Sequence, residues 1–211
     1  MLGANDGLVS TASLIVGVAA ASPAKGPILL AGAAGLVAGA MSMAAGEYVS
    51  VSSQSDSEKA DIARETAELA SSPQAELDEL TGLYVARGLD ADLARQVAEQ
   101  LTAKDVLGAH VRDELGMSDV TSARPIQAAI ASAATFSAGA LLPLAVIPMA
   151  PTGTIVPAVA ITALLGLAVL GAVGARAGGA PVGKSVVRVA FWGVAAMAVT
   201  AGIGRLLGDV V

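Results

Sequence analysis

Residues 38–69 read AGAMSMAAGEYVSVSSQSDSEKADIARETAEL, and this stretch decides the fold. Its first half is small and apolar enough for a lipid environment. It then passes through Glu47 into Glu58, Asp61, Glu65 and Glu68, and after Glu47 no Pro or Gly interrupts it. One helix is therefore expected to leave hydrocarbon and carry a row of acids into water.

Outward from this junction the residues segregate. The chain has 211 residues, is 55% hydrophobic, has a mean hydropathy of +0.70, and draws its apolar content mostly from Ala, Val, Leu and Ile. A soluble domain of this size would be more polar. Of 18 acids, 15 lie between Asp56 and Asp119 and none between Val120 and Gly208, so the net charge of −6 belongs to one polar insert. With no cysteine, thiolate metal sites and catalytic thiols are excluded.

A spanning helix needs about 20 mostly apolar residues. Five stretches qualify: 3–22, 27–52, 125–147, 154–175 and 186–207. No basic residue precedes Lys25, which argues against a secretory leader, and the abrupt apolar start suggests that further N-terminal residues precede it. The expected fold is all-α: a five-span membrane protein with a three-helix insert between spans two and three. The divisions are a membrane hairpin at 1–55, the insert at 56–122, and a second membrane segment at 123–211.

Five spans place ten of the twelve Lys and Arg on the side of the insert, leaving Lys25 and Arg205 on the other. The positive-inside rule makes the insert cytoplasmic. Within it, the first helix is expected to run to about Ala70, the second to stop at Gly88, and the third to extend from Ala91 to Leu115 behind an apolar row of Leu93, Val97, Leu101, Leu107, Val111 and Leu115.

One motif is refused. GGAPVGKS at 178–185 fits the nucleotide phosphate loop letter for letter, but that loop needs a preceding strand and a metal-holding acid. Here an apolar helical stretch precedes it and no acid follows before Asp209. Neither nucleotide nor nucleic acid is expected as a partner, and Lys184 reads as a topology anchor.

Acids inside spans are costly and mark function by default. If spans one and two form a hairpin about residues 23–26, Asp6 and Met43 are equidistant from its midpoint, and Glu47 lies one turn further on the face of Met43. Two carboxylates and a thioether suit a first-row divalent metal, and the carboxylates can also carry protons. The competing reading makes Asp6 and Glu47 span-end markers. A small-residue stripe, Gly32, Gly35, Gly39, Ser42 and Gly46, offers close helix contact, expected to be with a second copy. In the insert, Glu65 and Glu68, Glu76 and Glu79, and His110 and Glu114 form pairs that each share a helix face. Such pairs are either metal ligands or solvated surface.

GANDGLVSTASLIVG at 3–17, GLVAGAMSMAAGEYVSVSSQSD at 35–56 and ARPIQAAIASAATFSAGALLPL at 123–144 resemble the vacuolar iron transporter family and its bacterial and yeast relatives. The resemblance covers nearly the whole chain. It implies five spans, a homodimer in the lipid bilayer, and a cytoplasmic three-helix metal-binding domain. It also implies proton-coupled export of Fe2+, or Mn2+, from the cytosol, with no organic cofactor and no enzymatic activity. Asp6 and Met43 match the family's translocation path, and Glu65, Glu68, Glu76, Glu79 and Glu114 match its metal-domain glutamates. Departures are Glu47, where plant members carry Gly and place their acid near Gly35, and His110 with Val111, where they carry paired Met. The expected location is the plasma (inner) membrane if the chain is bacterial. The alternative function is a membrane-anchored metal buffer or sensor without transport.

Overall fold

The computed structural model describes residues 1–117 and 123–208. The last residues of the expected insert, 118–122, and Asp209 lie outside the described residues. Seven α-helices account for nearly all of it: α1 (Leu2–Ala21), α2 (Lys25–Ser71), α3 (Pro73–Ala86), α4 (Ala91–Asp113), α5 (Pro125–Met149), α6 (Ile155–Ala177) and α7 (Val182–Gly208). No strand occurs among the described residues. Five of them, α1, α2, α5, α6 with its short 3-10 lead-in, and α7, are long and apolar enough to cross a membrane.

The uninterrupted run after Glu47 has its structural counterpart in α2, a single helix of 47 residues. At about 1.5 Å per residue it is roughly 70 Å long, more than twice what a hydrocarbon core of about 30 Å requires. It ends where Pro73 disfavours helical backbone at Ser72, and Pro73 then starts α3 at a position where its missing N–H costs nothing. Gly88, at φ 101°, closes α3 in a left-handed conformation that a side chain would resist.

The chain divides into two compact units, one of residues 1–48 with 126–211, the other of 49–125. In the first, α1 is the most enclosed span and α2 and α7 the least: 39% of the apolar window of α1 is buried, against 11% for each of the others. The core joins Leu8, Ala12, Ile15 and Val16 of α1 to Ile147, Val159, Leu167 and Met197. Glycine makes the crossings possible: a Cβ at Gly7 or Gly139 would strike the backbone of α5 or α1 respectively, and one at Gly204 would strike the Gly17 carbonyl. The expected intermolecular stripe is largely used inside one chain, because Gly32 faces Leu144 and Ile15, Gly35 faces Leu14, and Gly39 faces the Phe136 ring. Gly46 alone of these glycines meets nothing within 4 Å.

In the second unit α3 and α4 pack through Leu80, Tyr84, Ala94, Ala98 and Ala109. Two expectations for α4 need correction. Its buried face is built on Ala94 and Ala98, with Val97 and Leu101 beside them, while Leu93 is 43% exposed, because small side chains let the α3 and α4 backbones approach. Nor is it one continuous helix. Asp105 is extended (φ −164°, ψ 90°), and its Oδ1 accepts the Gly108 N–H at 3.0 Å, so it caps a second, short helical segment.

Candidate metal centre

The Asp105 break sets the direction of the segment 106–113, which carries His110 and ends at Glu114. That segment is latched to α3 by Asp113: Tyr84 Oη donates to Oδ2 at 2.9 Å, Arg87 Nη1 to Oδ1 at 2.8 Å, and Arg87 Nη2 to the Asp113 carbonyl at 2.7 Å. Burial alone would raise the Asp113 pKa, but hydrogen bonds from Arg87, Tyr84 and Arg112 outweigh it and hold the carboxyl below its ordinary range. Asp90 caps the start of α4 through the Leu93 N–H, and Arg95 binds Asp78 of α3 and Glu99 of its own helix.

Thus held, four side chains converge: Glu65 from α2, Glu76 from α3, and His110 and Glu114 from α4. One potential ligand atom from each lies within 4.8 Å of all the others. Glu65 is 2% exposed, Glu76 8% and His110 0%. A first-row ion with bonds of about 2.1 Å holds its ligands about 3–4 Å apart, so the widest pairs must draw together by roughly an ångström to hold one.

The hydrogen bonding is incomplete in a way that a cation would complete. His110 Nδ1 lies 2.9 Å from Glu114 Oε2, in hydrogen-bond geometry, and also 2.9 Å from Glu65 Oε1, which satisfies no hydrogen-bond criterion despite the short distance. One ring nitrogen carries at most one proton and cannot serve two carboxylates. Glu65 Oε1 is buried without a hydrogen-bond partner among the described residues, and so, on the other side of the ring, is His110 Nε2. Buried orphans of this kind are rare and call for an ion, a water or a role.

The electrostatics agree. Burial raises the pKa of Glu65, reinforced by Glu114, Glu76 and Glu68 and opposed by His110. For Glu76 burial again comes first, reinforced by Glu79, Glu68 and Glu114 and opposed by His110. Protons are therefore held more readily than usual, and a divalent ion would relieve the same repulsion. Three carboxylates and an imidazole form a donor set for first-row divalent metals; the imidazole disfavours Ca2+ and Mg2+.

Of the expected insert ligands, Glu65, Glu76, His110 and Glu114 come together. Glu68 and Glu79 are exposed and outside the group, and their charges reinforce the raised Glu76 pKa. The expected membrane residues show the opposite pattern: Asp6 and Glu47 are exposed on the surface of one chain and Met43 is half-buried. Neither acid belongs to a cluster of potential metal ligands among the described residues. Asp105 and Asp113, which shape the group without joining it, carry only a weak signal in the sequence: an N-cap residue type inside a helical run, and an acid adjoining Glu114.

Five apolar spanning helices with a buried carboxylate–imidazole cluster in a separate helical unit define an integral, multi-pass membrane protein of metal-handling type. Residues 1–205 match the model of the VIT family. The chain is 45% identical over 207 residues to the "Vacuolar iron transporter" of Acanthamoeba castellanii, covering 98% of this chain and 76% of that protein. It is 41% identical over 209 residues to "Vacuolar iron transporter homolog 1" of Oryza sativa subsp. japonica, covering 99% and 72%. Against "Vacuolar iron transporter homolog 2" of Arabidopsis thaliana it is 37% identical over 209 residues, covering 99% and 82%. The chain belongs to the VIT family.

Proposed function

We propose that this protein is a secondary transporter that exports ferrous iron, or alternatively manganese, from the cytosol in exchange for protons. The buried Glu65–Glu76–His110–Glu114 group carries this reading, because its donors suit such ions and two of its buried atoms have no hydrogen-bond partner among the described residues. The relatives named as iron transporters favour iron as cargo. In this reading the 56–122 unit faces the cytoplasm, as the basic residues on its side favour, and collects metal. Asp6, Met43 and Glu47 pass it across the membrane. Their open position on one chain favours a twofold homodimer, in which a second copy doubles every ligand and removes carboxylates from lipid.

The test is metal uptake by proteoliposomes of the full chain, with and without an imposed pH gradient. Metal-dependent proton movement and a flux that follows the gradient are expected. Stoichiometric metal binding with no flux under either condition would contradict transport and leave a membrane-anchored buffer or sensor.

A further inference from the structure

The 178–185 stretch, refused as a nucleotide loop, opens onto a feature that transport leaves unused. The first turns of α7 form a shallow open groove of about 450 Å³ lined by Gly183, Lys184, Val187, Arg188, Phe191 and Trp192. Lys184, Arg188 and Trp192 recur every four residues and share one helix face. The large apolar side chains beside the cations are unpartnered: Val187 is 69% exposed, Phe191 62% and Trp192 66%. The buried side of α7 is elsewhere, at Gly193, Met197 and Gly204.

Neither cation takes part in any described ion pair, and no acid lies between Val120 and Gly208 to offer one. Their depth can be read along the helix. Arg188 and Arg205 are 17 residues apart, about 26 Å along the axis, close to the roughly 30 Å of a hydrocarbon core. Arg188 therefore stands at the headgroup boundary, with Lys184 one turn toward water and Trp192 one turn toward the acyl chains, at the level where indoles are enriched.

We propose that this face binds the phosphodiester of an anionic phospholipid. The Arg188 guanidinium offers a two-pronged donor to two phosphate oxygens, Lys184 supplies a second positive charge one turn outward, and Val187, Phe191 and Trp192 cover the upper part of an acyl chain. A zwitterionic lipid presents its own ammonium beside the phosphate, which Lys184 repels. Phosphatidylglycerol carries the same phosphate charge with no such cation, so charge complementarity selects it.

Trp192 is the only tryptophan in the chain, so its fluorescence reports on this site alone. The full chain is reconstituted in phosphatidylcholine vesicles containing a minor fraction of acyl-brominated phosphatidylglycerol. Parallel vesicles contain the same fraction of acyl-brominated phosphatidylcholine. Phosphatidylglycerol should quench Trp192 beyond its mole fraction, with an apparent preference on the order of tenfold at low salt. The K184Q/R188Q protein should be quenched equally by both lipids, whereas K184R/R188K should keep the preference. Molar salt should weaken the preference in the unmodified protein, a readout that needs no variant. Equal quenching of the unmodified protein by both lipids would overturn the proposal. So would a preference that survives K184Q/R188Q or molar salt undiminished.

Discussion

The two units treat their carboxylates in opposite ways. In the 49–125 unit, Glu65 and Glu76 are drawn inside and faced by His110, so a single chain assembles a near-complete ligand set. In the membrane unit, Asp6 and Glu47 lie on the surface of one chain, where apolar residues such as Val37 and Met41 are exposed as well. A carboxylate is tolerated on a lipid-bathed helix only if something polar covers it. In the proposed reading the first arrangement binds metal within one chain, while the second works only against a partner copy. That proposal puts binding and passage in different places, and each half can be broken separately.

The largest effect is expected at the membrane residues. Asp6→Asn should abolish metal flux into proteoliposomes at every metal concentration, because an amide neither carries the charge nor exchanges a proton, while equilibrium binding of Mn2+ to the same protein, followed by the loss of free-ion EPR signal, stays intact. Glu47→Gln should match it if this acid works in the path, and be nearly silent if it only marks the span end. Normal flux through Asp6→Asn would erase the proposed contrast.

Next come the buried ligands. Glu65→Gln should weaken Mn2+ binding by about 100-fold, since it removes a charge and a donor where no water can replace either. Asp113→Asn touches no ligand atom, yet should weaken binding about tenfold by loosening the Arg87 and Tyr84 latch beside Glu114. If Asp113→Asn binds like the parent, the latch is structural only. Asp105→Ala, which removes a cap, should cost about 1 kcal/mol in unfolding measurements and a smaller loss of affinity.

A subtler consequence concerns pH. Glu65 and Glu76 have pKa values raised above the ordinary 4.5 in the metal-free fold. Below that value both are protonated whether the chain is folded or not, and neither costs stability. As pH rises through the raised values, the folded state must release protons against burial and repulsion, and stability falls. Metal removes this penalty, so the rise in melting temperature caused by Mn2+ should be larger near about pH 7.5 than near about pH 5. A metal-induced shift independent of pH would mean that these carboxylates are not the ligands.

How much of this could be read from the residues differs between the units for physical reasons. Spans are legible because hydrocarbon demands long apolar runs, and α2 is legible because nothing in its sequence stops it before Ser72 and Pro73. The pairs Glu65 with Glu68 and Glu76 with Glu79 looked equivalent, because residues three apart share a face. They differ by about 60° around the helix, and only the first of each pair turns inward. The break at Asp105 was hidden by the helical propensity on both sides of it, because an N-cap Asp is usually marked by Glu or Gln three residues on and here that position is Gly108. Glycine periodicity indicated close approach, expected with a second copy, and within one chain Gly35, Gly39 and Gly32 already meet Leu14, Phe136 and Leu144.

The division between collecting and passing is tested most directly by initial rates of metal uptake across a concentration series, for the parent and for Glu65→Gln combined with His110→Ala. If the buried group collects metal for a separate path, the variant should need at least about tenfold more metal for half-maximal uptake and still approach the parental maximum. A variant whose maximal rate collapses while its half-saturating concentration stays unchanged would place the cluster in the path itself and contradict the account.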